Sequence, residues 1–251
     1  MHRFYLPPDQ CKGTSLFLTH RDAHHALHVL RLRRQERVIV LDGAGGELIC
    51  EVLDCNRNQV RLIVVQRNSV PAPHCQITLL QAVPKGKIIE SIIQRAAELG
   101  AYRVVPLLSE RAAMRLDGEN AAHKIEKWQL VAIEAIKQCG SAWLPRVEPP
   151  VTPNGFLERR EKVDLPLVAS LQAGSRHARE YFRAFLSGHA RPPQSVCVWV
   201  GPEGDFAPGE MAAIQAAGAL PITLGRLVLR SETAAVYCLS ILNHELQSPL
   251  D

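Results

Sequence analysis

The stretch Val198-Trp199-Val200-Gly201-Pro202-Glu203-Gly204-Asp205-Phe206 decides how this chain folds. An unalternating apolar run ends on two glycines flanking a Pro-Glu pair. Pro208 and Glu210 then suit the opening turn of a helix. A continuous apolar strand is buried on both faces, which points to a mainly parallel sheet covered by helices. Gly201 and Gly204 would let backbone approach a ligand at the carboxyl edge of that sheet, where such folds bind small molecules. Taken alone, the loop is equally well an ordinary strand-to-helix connection.

The same rhythm extends on both sides of this stretch. Strands are predicted at 76–83, 103–108, 164–171, 195–200 and 221–224. Between them Ile88, Ile89, Ile92, Ile93, Ala96 and Ala97 fall at helical spacing, and Gly100 can end that helix. Further helices are predicted at 121–138, 176–186, 208–217 and 231–246. Strands alternating with helices make this part α/β.

Residues 1–72 follow another pattern. A short helix is predicted over 22–31 with Asp22 as its N-cap. Strands follow at 37–41, 47–54 and 59–66, separated by the turns Asp42-Gly43-Ala44-Gly45-Gly46 and Asn56-Arg57-Asn58. These predict a small β-rich barrel or sheet. The run Asn68-Ser69-Val70-Pro71-Ala72-Pro73 breaks the pattern, so the chain divides into domains 1–72 and 73–251.

The bulk numbers fit two domains. The chain has 251 residues, 47% hydrophobic and 22% charged, enough to bury a sizeable core and unlike a disordered chain. The formal charge of +4 is uneven: residues 1–72 hold ten Lys/Arg against seven Asp/Glu, together with His2, His20, His24, His25 and His28. That bias points to an anionic partner at the N-terminal end. Seven scattered cysteines with no C-x-x-C pair read as reduced thiols, and no run is long and apolar enough for a membrane span. The start, MHRFYLPPD, lacks a secretory stretch, so a cytoplasmic protein is expected.

A second segment, Leu224-Gly225-Arg226-Leu227-Val228-Leu229-Arg230-Ser231-Glu232-Thr233-Ala234, leads from a strand end into the last helix. Ser231 is its predicted N-cap, and Glu232 suits the positive helix end. Ala235, Leu239, Leu242 and Leu246 supply the buried stripe. Good capping alone accounts for this piece.

The two pieces together resemble a family. GPEGD and LGRLVLRSETA are similar to the GPEGG and LG-x-x-ILR-x-ETA signatures of SPOUT-class RNA methyltransferases. The resemblance is nearest to the RsmE family, which makes N3-methyluridine in small-subunit ribosomal RNA. HRFYLPP, HHALHVLR, KGKIIESIIQRAAELGAYRVVPLLSER and WQLVAIEAIKQ extend it over nearly the whole chain in the same order.

The resemblance implies a PUA-like RNA-binding domain followed by a SPOUT-type α/β domain tied in a trefoil knot, with S-adenosylmethionine as cofactor. It also implies a homodimer whose partner subunit completes the site. By position, the implied cofactor pocket includes Leu171, Gln172, Gly201, Pro202, Glu203, Gly204, Leu224, Gly225, Leu227, Leu229 and Arg230. The implied substrate is a uridine of 16S ribosomal RNA, by analogy position 1498, in the small ribosomal subunit. Two departures stand out. Asp205 replaces the second glycine of GPEGG, which predicts a strained turn and a negative charge beside the pocket. The segment from Gln138 to Pro145 lacks an arginine common among relatives.

Transfer to uridine N3 requires the base to be positioned and its proton to leave. Arg230 is the candidate for stabilising charge on the uracil oxygens. Glu232 is the nearest carboxylate for a base; orienting Arg230 or favouring the helix end are its other readings. Arg3, Arg31, Arg33 and Arg34 are the candidate RNA phosphate contacts, against the alternative of a solvated charged face. Phe4 and Tyr5 are more readily core than base-stacking residues. The cluster His20, His24, His25, His28 lacks a following ligand at metal spacing, so no metal is expected. The Gly43–Gly46 run reads as a turn and not a dinucleotide fingerprint, and neither a P-loop nor a G-x-S-x-G elbow occurs. Two other functions remain: SPOUT-class 2′-O-ribose methylation, and a non-catalytic ribosomal RNA-binding assembly factor.

Overall fold

The computed structural model describes residues 1–56, 58–112, 118–172 and 174–247, with 118–121 as backbone only. The chain forms two compact units, Met1–Ala72 with Ile133–Leu144, and Pro73–Ala132 with Pro145–Asp251.

The first unit is a five-stranded sheet in the order β1-β3-β4-β5-β2. Its strands are β1 His2–Tyr5, β2 Ser15–Thr19, β3 Arg37–Leu41, β4 Gly46–Asn56 and β5 Gln59–Ser69. β1 runs parallel to β3, and the other pairs are antiparallel. Alternation sets the core: Leu16, Leu18, Val38, Val40, Leu48, Cys50, Val52, Val60 and Leu62 all point inward with Phe4. β1 and β2 escape sequence reading because each is too short to show its period. The predicted 22–31 helix is shorter and starts earlier. α1 (His20–His24) has Thr19 at its N-cap and passes into one wide turn over His25–Val29. Asp22 lies in the first turn and accepts a hydrogen bond from Lys137 Nζ at 3.2 Å instead of capping.

The linear division placed 133–144 in the second domain, whereas the structure groups it with the first. The reason is a set of backbone bonds to the glycine turn after β3. Gly45 N donates to Ala142 O at 2.9 Å, and Leu144 N donates to Gly43 O at 3.0 Å. Gly45 has φ +95°, and a Cβ there would lie 2.6 Å from the Trp143 ring, so only glycine admits the close approach. Asp42 Oδ1 locks the turn by accepting from the amides of Ala44 and Gly46. Of the predicted Asn56-Arg57-Asn58 turn, Arg57 lies outside the described residues; Asn58 N donates to Asn56 Oδ1.

The second unit holds a six-stranded, all-parallel sheet in the order β11-β9-β10-β6-β7-β8. Its strands are β6 Gln76–Ala82, β7 Arg103–Leu107, β8 Arg146–Val147, β9 Leu165–Ala169, β10 Ser195–Val200 and β11 Leu220–Ile222. The helices are α2 Ile88–Glu98, α3 Gly118–Cys139, α4 Pro153–Leu157, α5 Ala178–His189, α6 Pro208–Ala216 and α7 Ser231–Leu246; the end of α3 belongs to the first unit. One face buries Leu80, Val105, Val168 and Trp199 against Phe156, Phe206, Met211 and Ile214. The two-residue β8 and the single turn of α4 fall below what periodicity can reveal.

Strand order fixes where a site can form. From β10 the chain crosses to β11 at the far edge, beyond β9. It must then return past the carboxyl ends of β9 and β10 for α7 to pack on β6, β10 and α2. Residues 223–230 make that return, beside the loops that leave those two strands.

Candidate active site

Three loops meet at the carboxyl edge of the parallel sheet: 170–172 with 174–175 after β9, 201–205 after β10, and 223–229 before α7. They enclose a cavity of about 430 Å³, within the size range of small-molecule sites. Leu171, Gln172, Gly201, Pro202, Gly204, Leu224, Gly225, Leu227 and Leu229 line it, so nine of the eleven predicted cofactor residues converge there. Glu203 and Arg230 do not line it. Glu203 is exposed. Arg230 is the exposed residue between the lining residues Leu229 and Ser231.

The loops are held by polar contacts to backbone. Ser231 is not the N-cap that its sequence position predicts: that place falls to Arg230, whose carbonyl accepts from Ala234 N at 2.8 Å. The buried Ser231 hydroxyl instead donates to Gly201 O at 3.0 Å and accepts from Gln81 Nε2 at 2.8 Å. One side chain thus joins β6, the 201–205 loop and the start of α7. Gln81 is fully buried, and its Oε1 is without a partner among the described residues. It faces Val200 in the register of β6 and β10. Sequence reading missed it, although a lone polar residue inside the run Leu79-Leu80-Gln81-Ala82-Val83 is the kind of signal that marks such a tie.

Glu210 lies in the first turn of α6, as predicted, and also ties that turn to its surroundings. Buried, it accepts from the amide of Ala207 at 3.1 Å and from that of Glu110 at 2.9 Å. Arg111 Nη1 donates to Gly204 O at 2.7 Å. The 201–210 segment is therefore braced from the loop after β7.

Asp205 has φ +72°, the left-handed backbone expected where the resemblance has glycine. Its Oδ1 accepts from Phe206 N at 2.8 Å and its Oδ2 from Leu171 N at 3.3 Å. A Cβ on Gly201 would sit 3.1 Å from Phe206 N and 3.3 Å from the Asp205 carbonyl carbon, which gives Gly201 a packing reason to be glycine.

The two candidate catalytic side chains stand apart from these ties. Neither the Arg230 guanidinium nor the Glu232 carboxylate has an ion-pair or hydrogen-bond partner among the described residues. They do not orient each other. Glu232 sits in the first turn of α7, where the helix dipole favours a carboxylate.

The four arginines of the first unit divide into two kinds. Arg3 is half-buried, and its Nη1 donates to Gln138 O at 3.1 Å and Lys137 O at 3.5 Å, near the end of α3. Arg31, Arg33 and Arg34 are exposed around the buried Leu32, with Arg34 Nε bonded to Leu53 O. Phe4 is fully buried core. No group of three His, Cys, Asp or Glu side chains among the described residues is placed to hold a metal ion. No helix among them is long and apolar enough to cross a membrane.

A parallel α/β unit with a cavity at the carboxyl edge of its sheet defines a small-molecule-binding α/β domain. The family model described as an RNA methyltransferase domain matches residues 71–243, and that of an RNA methyltransferase PUA domain matches 18–65. The ribosomal RNA small subunit methyltransferase E of Synechocystis is 33% identical over 249 residues, covering 98% of this chain and 78% of the relative. A putative methyltransferase of Legionella pneumophila, solved with bound S-adenosylmethionine, superposes with a TM-score of 0.86 at 32% identity and 97% of both chains. The corresponding methyltransferase E of Neisseria gonorrhoeae, also with S-adenosylmethionine, gives 0.84 at 27% identity and 98% of both chains. The chain belongs to the ribosomal RNA small subunit methyltransferase E family.

Proposed function

We propose that this protein transfers a methyl group from S-adenosylmethionine to N3 of a uridine in 16S ribosomal RNA. The observation that carries the reading is the convergence of residues 170–172 and 174–175, 201–205 and 223–229 on one cavity. The residues there fit such a cofactor. Gly201, Gly204 and Gly225 place no side chain between the backbone and an adenine or ribose, and Leu224, Leu227 and Leu229 offer apolar cover. When bound, S-adenosylmethionine supplies an electrophilic methyl group on a sulfonium.

The chain's own residues must do the rest. The unpartnered Arg230 guanidinium, beside the cavity, is suited to holding negative charge on the uracil oxygens once the N3 proton has gone. Glu232 is close in sequence and accessible enough to take that proton, although its place at a helix start already explains a carboxylate. Arg31, Arg33 and Arg34 present positive charge for RNA phosphates. Arg3 is better assigned to ending α3, since its donors meet that helix's carbonyls.

Three further features belong to this reading. The trefoil knot of the family accords with the return of residues 223–230 past the ends of β9 and β10. A homodimer is supported by the exposed apolar side chains Leu171, Leu227, Val228 and Tyr237 beside or near the cavity, the middle two more than three-quarters exposed. A cytoplasmic protein acting on the small ribosomal subunit is consistent with free cysteines throughout.

Mass spectrometry of 16S ribosomal RNA from cells with and without the gene tests the proposal. Loss of one N3-methyluridine, restored by the wild-type gene, is expected. An unchanged modification pattern counts against it, and loss of a ribose methyl instead favours 2′-O transfer.

A further inference from the structure

Among the described residues that line the cavity, Asp205 supplies the sole carboxylate and Arg226 the sole guanidinium. Asp205 occupies a left-handed backbone conformation that disfavours a residue with a side chain and costs glycine nothing. Its carboxylate is held in place by the amides of Phe206 and, across the cavity's edge, Leu171. It is therefore a fixed negative charge that also fastens the 170–172 loop to the 201–205 loop. Arg111, which holds the same turn from outside, directs its guanidinium to the carbonyls of Gly204 and Asp205 and not to the carboxylate.

A methyl-transfer site meets two closely related ligands. The donor carries a sulfonium cation, and the spent product is a neutral thioether with the same remaining groups. Shape separates them poorly, whereas a fixed anion separates them by charge. We propose that Asp205 is a specificity-determining and positioning residue that biases the cavity toward the cationic donor over the neutral product. The inference rests on the methyl-donor reading of the cavity. Such a bias would favour exchange of product for fresh donor after each turnover. At distances of several ångströms in a half-exposed site the charge amounts to a few-fold in affinity, not orders of magnitude.

The test is calorimetric titration of the purified full-length protein with S-adenosylmethionine and, separately, with S-adenosylhomocysteine. Wild type, Asp205→Asn and Asp205→Gly are compared at low and high salt, with urea unfolding of each. Asparagine tolerates the same backbone but removes the charge and one acceptor; glycine removes strain, charge and latch together. Both variants are expected to lose about fivefold in affinity for the donor and less for the product, with the difference shrinking in high salt. Asp205→Gly is expected to unfold at equal or higher urea than wild type. That combination separates a role in binding from one in stability, because a residue kept for structure alone would not weaken binding while unfolding became harder. An unchanged ratio of the two affinities in both variants overturns the proposal. Failure of wild type to bind either ligand overturns the cavity's assignment instead, so the two failures are distinguishable.

Discussion

The Ser231 hydroxyl donates to the Gly201 carbonyl at 3.0 Å, joining the first turn of α7 to a loop that lies 30 residues earlier. Because the same oxygen accepts from Gln81, one hydroxyl links β6, the 201–205 loop and α7. The walls of the site are backbone, and backbone loops hold their shape only when something outside them is fixed.

Replacing Ser231 with Ala removes both bonds and leaves the Gly201 carbonyl without that donor. A buried polar group stripped of its partner costs about 1–3 kcal/mol. We expect Ser231→Ala to unfold at lower urea and to bind S-adenosylmethionine about tenfold more weakly, read by calorimetry on the folded protein. Wild-type affinity in the variant would show that the loops are held by other means.

Arg230 predicts the opposite separation. Its side chain makes no contact that folding needs, so Arg230→Ala should change stability by less than about 0.5 kcal/mol. Donor affinity should stay within about twofold, since the residue does not line the cavity. Methyl transfer to small ribosomal subunits should fall by about 100-fold or more, as when a charge-stabilising group is removed. Full transfer in this variant would take Arg230 out of the mechanism.

The distribution of success along the sequence has a physical pattern. β10 and α7 keep their predicted bounds, 195–200 and 231–246: β10 holds a continuous apolar run between Pro193 and Gly201, and α7 carries a long apolar stripe at helical spacing. The cavity loops were legible from their glycines and from their similarity to a known family. What stayed hidden is long-range. Whether Ser231 caps its own helix or reaches Gly201 and Gln81 depends on strand order, which local spacing does not encode. Arg3 is the same case: basic position suggested phosphate, but the end of α3 lies within its reach. The grouping of 133–144 with the first unit follows from backbone bonds to Gly43 and Gly45, which a linear reading of domains cannot show.

The arginines around Leu32 give a prediction about RNA. Arg31, Arg33 and Arg34 are exposed, and of their side chains Arg34 alone has a partner among the described residues, the Leu53 carbonyl. If all three meet phosphates, changing them to Gln should lower RNA affinity at low salt and reduce the slope of log affinity against log salt by about 2–3. Binding of S-adenosylmethionine should not change. A slope equal to that of wild type would place the RNA contact elsewhere.

Acid stability offers a test far from the cavity. Asp164 lies just before β9, at the amino end of the parallel strands, and accepts from both Arg191 terminal nitrogens at 2.9 and 3.1 Å. It also accepts from Gln194 N at 2.7 Å, at the start of β10. The Arg191 hydrogen bonds, helped by the backbone amide, hold its carboxyl at about 2 against an ordinary value of 3.8. A depressed carboxyl favours the folded state above the ordinary value, and that contribution is lost as pH falls from about 4 through about 2. Asp164→Asn keeps the shape but not the charge. It should lower the urea midpoint by about 0.5 M at neutral pH, a modest effect because the pair is partly exposed to solvent. The gap between variant and wild type should close as the buffer is taken toward pH 2, while donor binding at neutral pH stays as in wild type. A gap that persists undiminished in acid would mean that Asp164 acts through packing and not through its charge.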